Sequence, residues 1–401
     1  MNVEIRTCRD TAELGAAMSP LWHYFGRAAS EEDAKRFERI LPVDRVHAAF
    51  ADGSIVGGAG AFRLEITVPG AVVPMAGVMA VGVLPTHRRR GILTALMRRQ
   101  LDEIHERGEA LAMLYASEGA IYRRYGYGLA SLQGDLAVAR AHAVFDRPAE
   151  AHGTARIVGY DEALELMPPV YDRVQAESVG MLRRSRDWWE ARRVFNPPSA
   201  KGEQVRVVVE AEGRPEAYAL YRVEFAVERM SSKSVVEVVE AIGTTAAATR
   251  EIWRYLLSID WVETIRAGFL PPDHPLFLFL AEPRRLNFTL GEALWVRLVD
   301  VAAALSARSY AADDELVLEV ADAFCPWNDG RWRLAGGEAE PTDAEPDLRL
   351  GVDALASAFL GGFTFDQLAR AGRVEELRVG TMSRADALFR TPRLPWCPEI
   401  F

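Results

Sequence analysis

Cysteine is scarce in this 401-residue chain: Cys8, Cys325 and Cys397 are the three thiols, and no two form a C-x-x-C pair. That usage excludes a disulfide framework, offers no zinc-site spacing, and fits a reducing cytoplasm. Histidine is nearly as sparse, with seven residues, and His105-Glu106 continues as Arg107-Gly108 rather than as H-E-x-x-H, so no metal site is expected. Long apolar runs are missing too. The longest, Ala71 to Leu84, is broken by Pro74, Gly77 and Gly82 before it reaches the ~20 residues of a membrane span. The opening MNVEIRTCRD is polar, so neither export nor membrane insertion is expected. Positive charge is in deficit, 47 Lys and Arg against 57 Asp and Glu, for a net charge of -10 and a pI near 5.4. Nucleic acids and anionic membranes are therefore poor general partners, whereas cationic molecules are attracted.

What is present is an ordinary globular composition, 49% apolar and 26% charged. The length is too great for one typical core and predicts two or three domains. Residues 1–147 read as a helix over TAELGAAMSPLWHYFG, two strands around Asp52-Gly53, a buried strand in MAGVMAVGVL, a helix, a short strand ALAMLYAS, a helix EGAIYRRY and a closing strand in SLQGDLAVA. Residues 148–293 repeat that order loosely, which predicts an internal duplication of pattern without clear identity. Residues 294–401 alternate helices and strands in a third, smaller α/β unit, with GGEAEPTDAEPD, from Gly336 to Asp347, read as a loop.

One stretch asks for an explanation. Arg88, Arg89, Arg90 and Gly91 crowd the start of a helix, where the positive end of the helix dipole repels cations. Free backbone N–H groups there make an anion site, and a glycine lets a ligand approach the main chain. The run therefore reads as a pyrophosphate cradle, with the amides of Arg89 to Leu93, including Ile92, holding phosphates and the guanidiniums adding charge-assisted bonds. The competing reading is a solvated cationic start to an amphipathic helix. In the second half the corresponding loop is Gly243-Thr244-Thr245, without arginines.

An apolar strand ending Val81-Gly82-Val83, the loop Arg88-Arg89-Arg90-Gly91-Ile92-Leu93 and a later Tyr122-Arg123-Arg124-Tyr125-Gly126-Tyr127 together resemble the GCN5-related N-acetyltransferases. Leu93 departs from the small residue usual at the last loop position. Over nearly the whole chain the stretches VGVLPTHRRRGILTALM, YASEGAIYRRYGYG, GRPEAYALYRV, LWVRLVDVAAAL, AFLGGFTFDQLARAGRV and an aromatic C-terminus are similar to the enhanced intracellular survival (Eis) family of actinobacterial acetyltransferases. The resemblance implies an α/β fold of tandem acetyltransferase domains, each a mixed sheet flanked by helices, plus a C-terminal domain like sterol carrier proteins. It implies acetyl-CoA as co-substrate, acetylation of aminoglycoside or polyamine amines, and a homohexamer.

It also implies residue roles. The backbone of Val81, Gly82 and Val83 would bond the pantetheine arm, and Ser117 would lie near the acceptor side of the opened sheet. Tyr122 would be the general acid that protonates the departing thiolate, with Tyr125 and Tyr127 as nearby rivals. The base would be the C-terminal carboxylate, here that of Phe401, a group with an ordinary pKa of ~3.5. The ending LPWCPEIF, with two prolines and two aromatics, predicts docking rather than fraying. Trp22, Tyr24 and Phe25, with His23 among them, would wall the acceptor site, although aromatics on an amphipathic helix also serve as core. Glu399 would contact a cationic substrate, with Ile400 intervening before the terminus. Two other readings remain open: an acetyltransferase acting on protein lysines or N-termini, and a non-enzymatic acyl-CoA or lipid-binding module.

Overall fold

The computed structural model describes residues 3–24, 26, 36–148, 150–194, 196–197 and 200–401. By contacts the chain divides into two units, Met1–Ser131 with Ala293–Arg393 and Ile400–Phe401, and Leu132–Glu292 with Leu394–Glu399.

In the first unit, β1 (Val3–Thr7), β2 (Val46–Ala51), β3 (Ser54–Val68), β4 (Ala71–Val83) and β5 (Leu111–Tyr115) lie side by side in that order. All neighbours are antiparallel except β4 and β5. Helix α1 (Thr11–Tyr24) rests on β3 at Gly58, where a Cβ would come within 2.1 Å of the Ala17 carbonyl oxygen, so only glycine permits the contact. Helix α2 (Ile92–Glu106) buries Ile92, Leu96, Met97, Leu101 and Ile104, a stripe at helical spacing. Each such side chain contributes roughly 1.5–3 kcal/mol by leaving water. Gln100 joins that face without an apolar side chain, because its Nε2 donates to the Gly60 carbonyl at 3.0 Å. A short helix, α3 (Gly119–Arg123), and a two-residue strand, β6 (Gly128–Leu129), follow β5.

The second unit repeats the order: strands Thr154–Ile157, Gln204–Ala211, Arg214–Glu224, Val235–Gly243 and Thr264–Leu270 are neighbours, and again the fourth and fifth are parallel. The sheets nevertheless do not divide at 147/148 and 293/294. Leu132–Ala139, expected to close the first domain, pairs with Thr264–Leu270 in the second sheet, and Leu294–Leu298, expected to open the third, pairs with β5 in the first. Short apolar strands suit either sheet, so local pattern does not reveal which edge they join.

The rest of the first unit carries a five-stranded sheet in the order Glu338–Pro341, Gly330–Ala335, Leu316–Ala321, Leu348–Gly351, Val374–Glu376, with helices that include Val352–Phe359 and Thr381–Phe389. Part of the stretch expected as a loop is thus an edge strand. Gly336 and Gly337, both at positive φ, turn the chain back so that Glu338–Pro341 pairs with Gly330–Ala335 despite its charge. Edge strands tolerate such residues because one side faces solvent.

Candidate active site

Parallel pairing of β4 and β5 is confined to Ala76–Ala112 and Gly77–Met113. On its other edge β5 pairs along its whole length with Leu294–Leu298, and beyond Gly77 β4 continues to Val83 with β3 alone. A bulge marks the divergence. Ala59 faces both Ala80 and Val81, and Ala80 takes a left-handed φ of 54°, a conformation costing about 1–3 kcal/mol in a residue with a side chain. The opened strand lines a cavity of about 420 Å³ together with the loop into α2 and with α3.

Val81, Gly82, Val83, Arg88, Arg89, Gly91, Ile92, Leu93, Ser117 and Tyr122 all line this cavity. The side chains of Val81 and Val83 pack against the core, and that of Ile92 is buried in it, so their contribution is main chain. Arg90 does not line it. Gly91 is the N-cap of α2 at φ 80°, no side chain caps the helix, and no acid stands in its first turn. A Cβ on Gly91 would meet nothing within 4 Å. With Arg89 also left-handed at φ 60°, the backbone forms a concave nest at an uncompensated positive helix end. These residues fit the pyrophosphate of a CoA ester, and the opened β4 fits its amide-bearing arm.

The three tyrosines separate. Tyr127 is fully buried and does not line the cavity. Tyr125 does, but its hydroxyl is 3.4 Å from Thr94 Oγ1 and its ring packs edge-on against Phe324. Tyr122, held on α3 against the Tyr127 ring at 5.9 Å, lines the cavity, and burial, reinforced by Tyr125 and Glu118, pushes its phenol up to about 12. Burial thus keeps the phenol protonated at neutral pH, with its proton present in the cavity.

The acceptor-wall assignments are corrected in part. Leu21 and Tyr24, three residues apart and so on one face of α1, line the cavity, whereas Trp22 sits on another face and packs against Phe37 at 6.3 Å. Phe25 lies outside the described residues. Tyr24 donates to Glu118 Oε1 at 3.1 Å, and the Arg88 guanidinium lies 5.7 Å above its ring. Glu399 does not line the cavity. Its carboxylate is buried in the second unit, where Arg193 Nη2 reaches Oε2 at 2.6 Å and Arg184 Nε reaches Oε1. Burial pushes the Glu399 carboxyl up, but the charges of Arg184 and Arg193 outweigh that and hold it below its ordinary value. Phe401 is half-buried in the first unit. Its ring stands edge-on to Tyr115 at 5.7 Å and would be 3.3 Å from a Cβ on Gly77, so it sits where β4 and β5 begin to part. Thr94, His87, Arg124 and Glu118 also line the cavity; of these, Glu118 was expected only as a fallback base and the other three were not foreseen as site residues. Arg124 lies within the tyrosine motif and Glu118 four residues before Tyr122, and that motif is the one signal that pointed to them.

In the second unit the equivalent loop is closed by its own side chains. Thr245 caps the helix Ala246–Ser258 by accepting from the Ala248 amide at 3.1 Å. Thr244 bonds the Glu216 carboxylate, which Arg173 also holds at 3.0 Å. A fixed carboxylate at that position repels phosphate.

An opened parallel pair beside a helix-mouth anion nest and a buried tyrosine, on a sheet built twice, defines a GCN5-related N-acetyltransferase with tandem domains. Accordingly, residues 5–130 and 180–298 each match the family described as an acetyltransferase (GNAT) domain, and residues 301–398 match a sterol carrier protein domain. The chain is 38% identical over 386 residues to an uncharacterized N-acetyltransferase of Streptomyces avermitilis, covering 94% of each. It is 33% identical over 375 residues to N-acetyltransferase Eis of Mycobacterium tuberculosis, covering 89% of this chain and 90% of that one. The crystal structure of Eis1 from Mycobacterium abscessus superposes with a TM-score of 0.87 at 33% identity, over 100% of both chains. This chain belongs to the Eis family of N-acetyltransferases.

Proposed function

We propose that the chain transfers the acetyl group of acetyl-CoA to amines of polycationic small molecules, aminoglycosides or similar polyamines, and that it works in the cytoplasm as a homohexamer. The observation that carries this reading is the meeting, in one cavity, of the anion nest at Gly91 with the buried phenol of Tyr122. Acetyl-CoA supplies the activated acyl thioester. Arg88, Arg89 and the α2 amides would hold its phosphates, and the free main-chain groups of Val81 to Val83 its pantetheine arm, near Ser117. Tyr122 would give its proton to the departing sulfur, a role typically worth about 10²–10⁴ in rate. The Phe401 carboxylate would accept the proton of the attacking amine, directly or through water. The acidic balance of the chain favours a cationic acceptor. Among the described residues no helix is long and apolar enough to cross a membrane.

A thiol-release assay across aminoglycosides, linear polyamines and lysine peptides tests the proposal. Turnover highest on the first two classes supports it, and turnover confined to peptides refutes the acceptor class.

A further inference from the structure

The second sheet opens as the first does. Its parallel pairing runs from Val235–Thr264 to Val238–Ala267, and Val239 bulges where the register with Arg214–Glu224 slips. In the first unit the aromatic end of the chain meets Tyr115, two residues past the last parallel pair. The equivalent position in the second unit is Phe269, two past Ala267, and its carbonyl accepts from Trp396 Nε1. On the opposite strand, Glu240 is two past Val238. Arg184 grips it through Nη1 at 2.9 Å, and the same guanidinium bonds Glu399 through Nε.

The tail is held at several further points. The Trp396 amide donates to the Val179 carbonyl at 2.8 Å, and a Cβ on Gly180 would come within 2.8 Å of the Trp396 main chain. Arg193 donates to the Pro398 carbonyl and to both Glu399 oxygens. The Arg184 guanidinium lies 3.6 Å from the Tyr171 ring centre. Side-chain exposure is 0% for Arg184, 2% for Glu240 and 1% for Glu399.

Burying so many charges is a poor way to gain stability, because desolvation cancels most of the attraction; such clusters are better at specifying one arrangement. Glu399 is two residues from the terminus, and two residues span at most ~7 Å. Pinning Glu399 therefore confines the terminal carboxylate to a small volume. An apolar socket would hold the tail as firmly but would not fix its register.

We propose that the opened second sheet, whose cofactor loop is closed, has become the socket for residues 394–399, and that Arg184 and Arg193 are positioning residues that set the Phe401 carboxylate through Glu399. The positioning role rests on the reading of that carboxylate as the base.

The test compares Glu399→Gln, Glu399→Asp and deletion of Phe401 in the full chain, with neomycin as acceptor. Three quantities are read: hydrogen exchange of the 394–401 peptide, the acetyl-CoA Kd, and kcat. Glu399→Gln should speed tail exchange at least 10-fold and lower kcat about 10–100-fold, as expected when a positioned catalytic group is misplaced. It should leave the acetyl-CoA Kd within about twofold, because the phosphate cradle at the mouth of α2 is untouched. Glu399→Asp should recover part of kcat. If Glu399→Gln fails to fold, Arg193→Lys keeps the charge but loses the fork, and should show the same pattern with a smaller loss, about 3–10-fold in kcat. A tail as protected as in the parent overturns the socket. A freed tail with unchanged kcat, where deleting Phe401 abolishes turnover, overturns the positioning role. Deletion of Phe401 without effect on kcat overturns the base reading, and the positioning role with it, while the exchange data still decide the socket.

Discussion

At the scale of single residues, the proposed chemistry turns on the Tyr122 hydroxyl and on the side chain that Gly91 lacks. Tyr122→Phe should fold and bind acetyl-CoA, yet lose about 10²–10⁴ in kcat, because it removes the proton and little volume. Its pH behaviour follows from burial. The folded state favours the neutral phenol, whose pKa stands at about 12 against an ordinary value of 10. The stability this adds is complete below pH 10 and is lost as the pH rises through 12. Up to pH 10, then, the kcat profile should contain no falling limb that belongs to Tyr122. A falling limb centred near pH 8 that disappears in Tyr122→Phe would contradict the assignment. Gly91→Glu combines a left-handed φ of 80°, a bulky side chain and a negative charge at the anion nest. It should weaken acetyl-CoA binding more than 100-fold, roughly the sum of backbone strain and the lost phosphate contacts, measured by calorimetry.

At the scale of elements, the two helix mouths share one topology and differ in the groups that an anion would meet. Helix α2 begins with an uncapped glycine, arginines and no acid. The helix Ala246–Ser258 begins with a threonine that caps it and another that anchors Glu216. The hydrogen bond from Thr244, against the opposing effect of burial and with help from Arg173, holds the Glu216 carboxyl below its ordinary value, so it is charged at neutral pH. Calorimetry should therefore find one acetyl-CoA per chain. A second site, or one that survives in Gly91→Glu, would show that the closed loop still binds.

At the scale of the whole molecule, the C-terminus belongs to both units in succession, residues 394–399 to the second and 400–401 to the first. The role proposed for the Phe401 carboxylate thus depends on chain length as well as on charge. Residues added after Phe401 should suppress acetylation by at least about 10²-fold, the usual worth of a general base, while acetyl-CoA still binds. An N-terminal tag should be tolerated. A C-terminally extended protein with unaltered kcat and KM would send the search for a base to cavity side chains, with Glu118 first.

Much of this was legible in the sequence because the signals are local. Arg88 to Leu93 and Tyr122 to Tyr127 are short runs whose backbone geometry follows from a glycine, a helix start and an apolar strand. The repeated strand order was readable from periodicity. What the sequence left open depends on partners distant along the chain. Strands 132–139 and 294–298 carry apolar patterns that suit either sheet, so only pairing decided their place. Trp22 and Tyr24 are equally aromatic, and which one met the cavity and which met Phe37 was decided by how α1 sits on Gly58. Glu399 read as a contact for a cationic substrate beside the terminus. Arg184 and Arg193, more than 200 positions earlier, turned it into a buried counter-ion, because a carboxylate can leave water only where guanidiniums replace the hydration it gives up.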